Sequence, residues 1–211
     1  MKLTKYGHSC VIIENQSEQR MIIDPGNLTI LPEDLTNINL LVCTHLHQDH
    51  LFVPNIERIL EINPSLTIYA PEDATSSLDG LACDTVAIGS EMTIDFGGVE
   101  LILSPCDHAV IWQKSPCKNL RLRVGDFYYY PGDSFGTIDS FVEILGAPIS
   151  APWLKISESI EFARSMNCKK IVPVHDGLLN QVGQGIINRW ISVGLEDQDK
   201  ELVILEEGES V

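Results

Sequence analysis

The chain has 211 residues, 44% of them hydrophobic and 21% charged, which is ordinary for a globular protein and enough to bury a sizeable core. A net charge of −16 excludes a nucleic-acid binder that tracks phosphates, because such a surface carries the opposite sign. No apolar run approaches the ~18 residues of a membrane-crossing helix, so neither a span nor a membrane partner is expected.

Residues 1–7 lack the apolar centre of a secretory signal and read as a first strand. Short apolar runs at 10–13 and 21–23 look like neighbouring strands, and Asp24-Pro25-Gly26-Asn27 ends the second with strong turn chemistry. The run 40–43 reads as a buried strand, and 51–60 has helical apolar spacing that Asn63-Pro64 stops. A strand follows at 66–69, then a short helix opening at Pro71. Residues 92–96 and 99–103 flank Gly97-Gly98 as a hairpin. Strands are expected at 120–124, 127–130 and 170–174, with helices at 157–166 and 186–193. Strands mixed with helices throughout imply a layered α/β architecture, expected as one domain over 1–211.

The chemistry concentrates in His45-Leu46-His47-Gln48-Asp49-His50, on the loop between the 40–43 strand and the following helix. Open α/β sheets place their ligand sites at such strand ends. His45 and His47 are two apart, so in extended chain they point the same way and can share one metal ion. Asp49 and His50 are adjacent and are better placed to hold a second ion beside the first. Imidazole with carboxylate suits zinc first, with manganese and iron as alternatives. Three more metal-capable residues fall at strand ends: His108, Asp133 and His175. Asp24, Asp107 and Asp176 are candidates to support ligating histidines. A structural or supporting role is expected for His8. Substrate-contacting loops are sought at 109–119 and 151–155, whose Trp112 and Trp153 are expected to fill core gaps.

These marks together resemble the metallo-β-lactamase superfamily: His45-x-His47-x-Asp49-His50, the isolated His108, the Gly132-Asp133-Ser134 turn and the closing His175. The opening Gly7-His8-Ser9 and the Asp24-Pro25 turn look like a branch of small metal-dependent hydrolases that includes L-ascorbate-6-phosphate lactonase. The resemblance implies a four-layer αβ/βα sandwich with a dinuclear site at one edge. It assigns His45, His47 and His108 to the first ion, Asp49, His50 and His175 to the second, and Asp133 to both, with Asp49 also counted as catalytic. A hydroxide between the ions would be the nucleophile. Di-iron redox members carry glutamate where this chain has His47, and nuclease members carry an inserted domain for which this chain has no room. The implied activity is hydrolysis of a small anionic ester, lactone or phosphoester. A thioester hydrolase of the glyoxalase II type and a non-catalytic metal-dependent sensor are the alternatives.

Cys10, Cys43, Cys83, Cys106, Cys117 and Cys168 are widely and irregularly spaced, which reads as reduced thiols in a cytoplasmic protein. The expected partner is a small-molecule substrate, and self-association is left open.

Overall fold

A computed structural model describes all of residues 1–211. β1 (Lys2–Tyr6), β2 (Cys10–Glu14), β3 (Arg20–Ile23), β4 (Ile38–Val42), β5 (Thr67–Pro71) and β6 (Asp84–Ile88) form one sheet in chain order. β7 (Met92–Asp95), β8 (Glu100–Asp107), β9 (Lys118–Val124), β10 (Tyr128–Tyr130), β11 (Val142–Pro148), β12 (Cys168–Val174) and β13 (Glu201–Leu202) form a second sheet, also in sequential order. β1 to β3 pair antiparallel and β3 to β6 parallel; in the second sheet β7 to β10 pair antiparallel and β10 to β13 parallel.

Successive side chains on a strand point to opposite faces, and here both faces are buried. Val11, Ile13, Met21, Ile23 and Val42 of the first sheet pack against Leu101, Leu103, Leu122, Tyr128 and Val172 of the second. The alternate residues Cys10, Ile12, Ile22 and Leu41 turn outward to Ile56 and Ile59 of α1 (Val53–Ile62). On the far side, Tyr129, Leu145 and Ile171 meet Phe162 and Ala163 of α2 (Ile156–Ser165) and Ile191 of α3 (Gln181–Gly194). The order helix, sheet, sheet, helix is the four-layer αβ/βα sandwich. Each buried aliphatic side chain contributes about 1.5–3 kcal/mol relative to exposure, and the inter-sheet cluster, with 18 buried residues, is the largest of the three core clusters.

Local chemistry sets the boundaries of these elements. Pro54 starts α1, where its missing N–H costs nothing. Asn63 ends it: the side-chain amide donates to Ile59 O at 2.9 Å and Leu35 O at 2.7 Å, while its Oδ1 accepts from Ile38 N at 3.0 Å. One residue therefore stops the helix and fixes the entrance of β4, which leads into the histidine-rich loop. The opening at Pro71 becomes a 3-10 helix, Glu72–Leu78. The acidic run at 206–209 is exposed, but its backbone is not idle. Gly208 N donates to Lys5 O at 2.8 Å, and Leu3 and Val211 exchange N–H···O bonds at 2.9 Å, covering the free edge of β1. All six cysteines are free thiols, and no helix is long and apolar enough to cross a membrane.

Candidate metal centre

β1, β3, β4, β8, β10 and β12 deliver His8, Asp24, the 45–50 loop, His108, Asp133 and His175 from their C-terminal ends to one edge of the sandwich. The turn that presents Asp133 depends on Gly132, with φ +59°; a Cβ there would lie 2.2 Å from Asn119 Oδ1 and 2.8 Å from Leu120 O. Asn119 Oδ1 in turn accepts from Asp133 N at 3.0 Å. The 45–50 loop is clamped by the Asp24–Asn27 turn: Asn27 N donates to Gln48 O at 2.8 Å, and a Cβ on Gly26 would lie 1.8 Å from Asp49 O.

All seven expected ligand residues converge. With His8 as an eighth, their donor atoms form two groups, each within 4.8 Å: His45, His47, His108 and Asp133 in one, and Asp49, His50, His175 and His8 in the other. Asp133 spans both. Its Oδ2 lies 3.2 Å from His108 Nε2 and 3.1 Å from His175 Nε2, and its Oδ1 lies 3.4 Å from His50 Nε2. His45 Nε2 and His47 Nδ1 are 3.1 Å apart, close to the ~3.3 Å between two nitrogens on one tetrahedral zinc with bonds of ~2.0 Å.

Hydrogen bonds at the outer ring nitrogens fix which nitrogen faces inward. His50 Nδ1 donates to Asp24 Oδ2 at 2.7 Å, His108 Nδ1 to Ala109 O at 2.6 Å and His175 Nδ1 to Ser150 O at 2.5 Å. Thr44 Oγ1 donates to Asp24 Oδ2 at 2.7 Å and so accepts from His45 Nδ1 at 3.1 Å. The inward atoms His50 Nε2, His108 Nε2, His175 Nε2 and Asp133 Oδ1 are buried without any hydrogen-bond partner. Orphaned buried nitrogens aimed at one carboxylate are costly unless a cation completes them, so the donor set fits metal ions.

His8 differs from these rings. Its Nδ1 accepts from Gly177 N at 2.9 Å, so a neutral ring carries its proton on Nε2, 3.4 Å from Asp49 Oδ2. A neutral ring held this way points its Nε2 proton toward Asp49, though the contact does not reach hydrogen-bond geometry, and offers no lone pair to an ion. It supports Asp49, in line with the expectation from sequence. Asp24 is fully buried, accepts from Thr44 N at 2.7 Å as well as from Thr44 Oγ1 and His50, and adopts a left-handed backbone at φ +49°. Asp107 and Asp176 support no histidine: Asp107 pairs with Lys118 at the surface, and Asp176 accepts from Lys5 Nζ at 3.0 Å.

Two expectations for the tryptophans need correction. Trp112 fills no core gap; it is 77% exposed, on the loop after His108. Trp153 is half-buried and its indole Nε1 donates to Asp133 Oδ2 at 2.8 Å. Sequence gives little signal for that contact, because it joins two loops twenty residues apart.

The electrostatics follow from burial and mutual charge. Burial drives the pKa of His45 well below its ordinary value and lowers that of His47. Burial lowers His8 to about 4, against the pull of Asp49. Burial also opposes charge on His50, but Asp133, Asp24 and Asp49 outweigh it and push the ring up to about 9. Burial opposes the charge of Asp133 and Asp49 too, yet the surrounding histidines hold both carboxyls well below the usual range.

With this geometry in place, the chain can be set beside known proteins. Residues 2–175 match the family model described as the beta-lactamase superfamily domain. Protein Rv0786c of Mycobacterium tuberculosis is 32% identical over 192 residues, covering 88% of this chain and 89% of the relative. A UPF0173 metal-dependent hydrolase of Alkaliphilus metalliredigens is 23% identical over 195 residues, covering 83% and 85%. The solved structure of Igni18, a metallo hydrolase of the archaeon Ignicoccus hospitalis, superposes with a TM-score of 0.73 at 16% identity, covering 100% of this chain and 97% of that one.

Proposed function

The chain belongs to the beta-lactamase superfamily and is a metal-dependent hydrolase, and from that premise we propose that it cleaves a small anionic ester, lactone or phosphoester at a pair of divalent ions. One observation carries the dinuclear reading: the Asp133 carboxylate reaches toward inward nitrogens of both residue groups. His45, His47 and His108 would hold one ion, Asp49, His50 and His175 the other, and Asp133 both. Zinc suits this set of imidazoles and carboxylates first, with manganese and iron as alternatives. When bound, such a pair supplies a hydroxide nucleophile near neutral pH and a Lewis-acid clamp on attacking and leaving oxygens.

The protein's own groups do the rest. Asp24 holds His50 and, through Thr44, His45 in the orientation that points Nε2 inward. His8 steadies Asp49. Asp49 is the catalytic residue: its carboxyl is held too acidic to store a proton, so it orients attacking water as an acceptor. Two divalent ions outweigh two carboxylates, so the inner site attracts anionic groups despite the acidic surface. We place the protein in the cytoplasm, where six free thiols stay reduced.

The test is turnover of a lactone, phosphoester and thioester panel by zinc- and manganese-loaded protein, with each anionic substrate matched to a neutral isostere. Preferred turnover of an anionic lactone or phosphoester is expected. Thioester preference would indicate the glyoxalase II type of activity instead. Two bound ions with no turnover anywhere would make this a binding module.

A further inference from the structure

We propose that Trp153 is a positioning residue that selects which oxygen of Asp133 the two ions share; this rests on the dinuclear reading above. Trp153 lies between β11 and α2, on a segment that contributes no candidate ligand. Its indole N–H donates to Asp133 Oδ2 at 2.8 Å. That same oxygen lies between the two residue groups, 3.2 Å from His108 Nε2 and 3.1 Å from His175 Nε2. The other oxygen, Oδ1, is buried, has no hydrogen-bond partner and faces His50 Nε2 at 3.4 Å.

A carboxylate is nearly two-fold symmetric about its terminal torsion, so shape alone does not distinguish its oxygens. A single N–H donor breaks that symmetry. The indole is well held for the task. It meets the His108 ring edge-on at 6.1 Å and the His175 ring at 6.4 Å, one from each residue group. Phe135 packs against its other side at 5.1 Å, and Phe135 in turn leans on Phe162 of α2. Ser150, three residues earlier, supplies the carbonyl that orients His175. One short connection therefore braces the bridging carboxylate and a histidine of the second group together.

Trp153→Phe removes the N–H and keeps a ring in place. Partners that orient a metal ligand are worth about 10–100-fold in metal affinity. The variant is expected to bind zinc ten- to a hundredfold more weakly than wild type at both equivalents, as read by titration against a competing chelator. The cobalt-loaded variant should also show a changed visible absorption at the second equivalent. Phe96→Leu thins the inter-sheet cluster at the turn between β7 and β8, away from Trp153 and the candidate ligands; it should lower the melting temperature and leave zinc affinity unchanged. A Trp153→Phe protein that binds both ions as wild type does overturns the proposal alone. So does a Phe96→Leu protein that loses zinc affinity equally. Wild-type protein that takes up only one ion overturns the dinuclear reading together with this one.

Discussion

The two sheets build the site by different means. The first supplies His45, His47, Asp49 and His50 from one loop and supports them with side chains: Asp24 on His50, Thr44 on His45 and His8 on Asp49. The second supplies His108, Asp133 and His175 from three separate strand ends and orients both histidines with backbone carbonyls, those of Ala109 and Ser150. A carbonyl cannot be deleted by substitution, whereas a side chain can. The first half of the site is therefore open to tuning by single mutations. The second is tied to the register of β8, β10 and β12, and Trp153 and Asn119 are its side-chain supports at Asp133.

Asp133 lies outside this contrast because its carboxylate lies against nitrogens of both groups, and its loss should have the largest effect. Asp133→Ala is expected to abolish binding of both ions and cut turnover by more than about a hundredfold, beyond the usual cost of losing a supporting partner. Elemental analysis after zinc reloading checks this, and full metal content would show that Asp133 bridges nothing. The contrast itself is sharpened by a matched pair. Asp24→Ala should weaken metal binding about 10–100-fold and lower the melting temperature, because three buried donors lose their acceptor. Ser150→Ala keeps its carbonyl and should change neither, by calorimetric zinc titration.

The pH dependence is a smaller effect with a definite sign. In the metal-free protein His50 titrates at about 9, so at pH 7 an incoming ion must displace its proton. Zinc affinity should therefore rise about tenfold per pH unit and level off near pH 9. The metal-free fold responds oppositely. With the folded pKa raised above the unfolded ~6.5, the stability His50 contributes is complete below pH 6.5 and is lost as pH climbs toward 9. The gap between melting temperatures of zinc-loaded and chelator-treated protein should widen across that window. A constant gap would mean that His50 carries no proton in the metal-free site.

The half of the site on the first sheet was legible because its chemistry is contiguous: four metal-capable side chains in six residues, between an apolar run and a helical one. The candidate ligands of the second sheet were visible only as isolated residues at strand ends, and gained meaning from the full set. Three strands escaped the reading for separate reasons. β6 is mostly solvent-facing and shows no apolar alternation. β11 contains Gly146 and Pro148, which read as loop residues although the strand is buried between β10 and β12. β13 has two residues, too few to show any period. The contact between Trp153 and Asp133 depends on how two loops meet in space, which no local pattern encodes.

Gly26 carries no functional group, yet a Cβ there would fall 1.8 Å from Asp49 O and 2.6 Å from His50 N. Any side chain would push the histidine-rich loop off the turn that clamps it, displacing several donor atoms at once. In a library of random variants, Gly26 should therefore tolerate as little change as the histidines themselves. A scan for inactivating substitutions would flag it as a catalytic position, although its contribution is the absence of an atom.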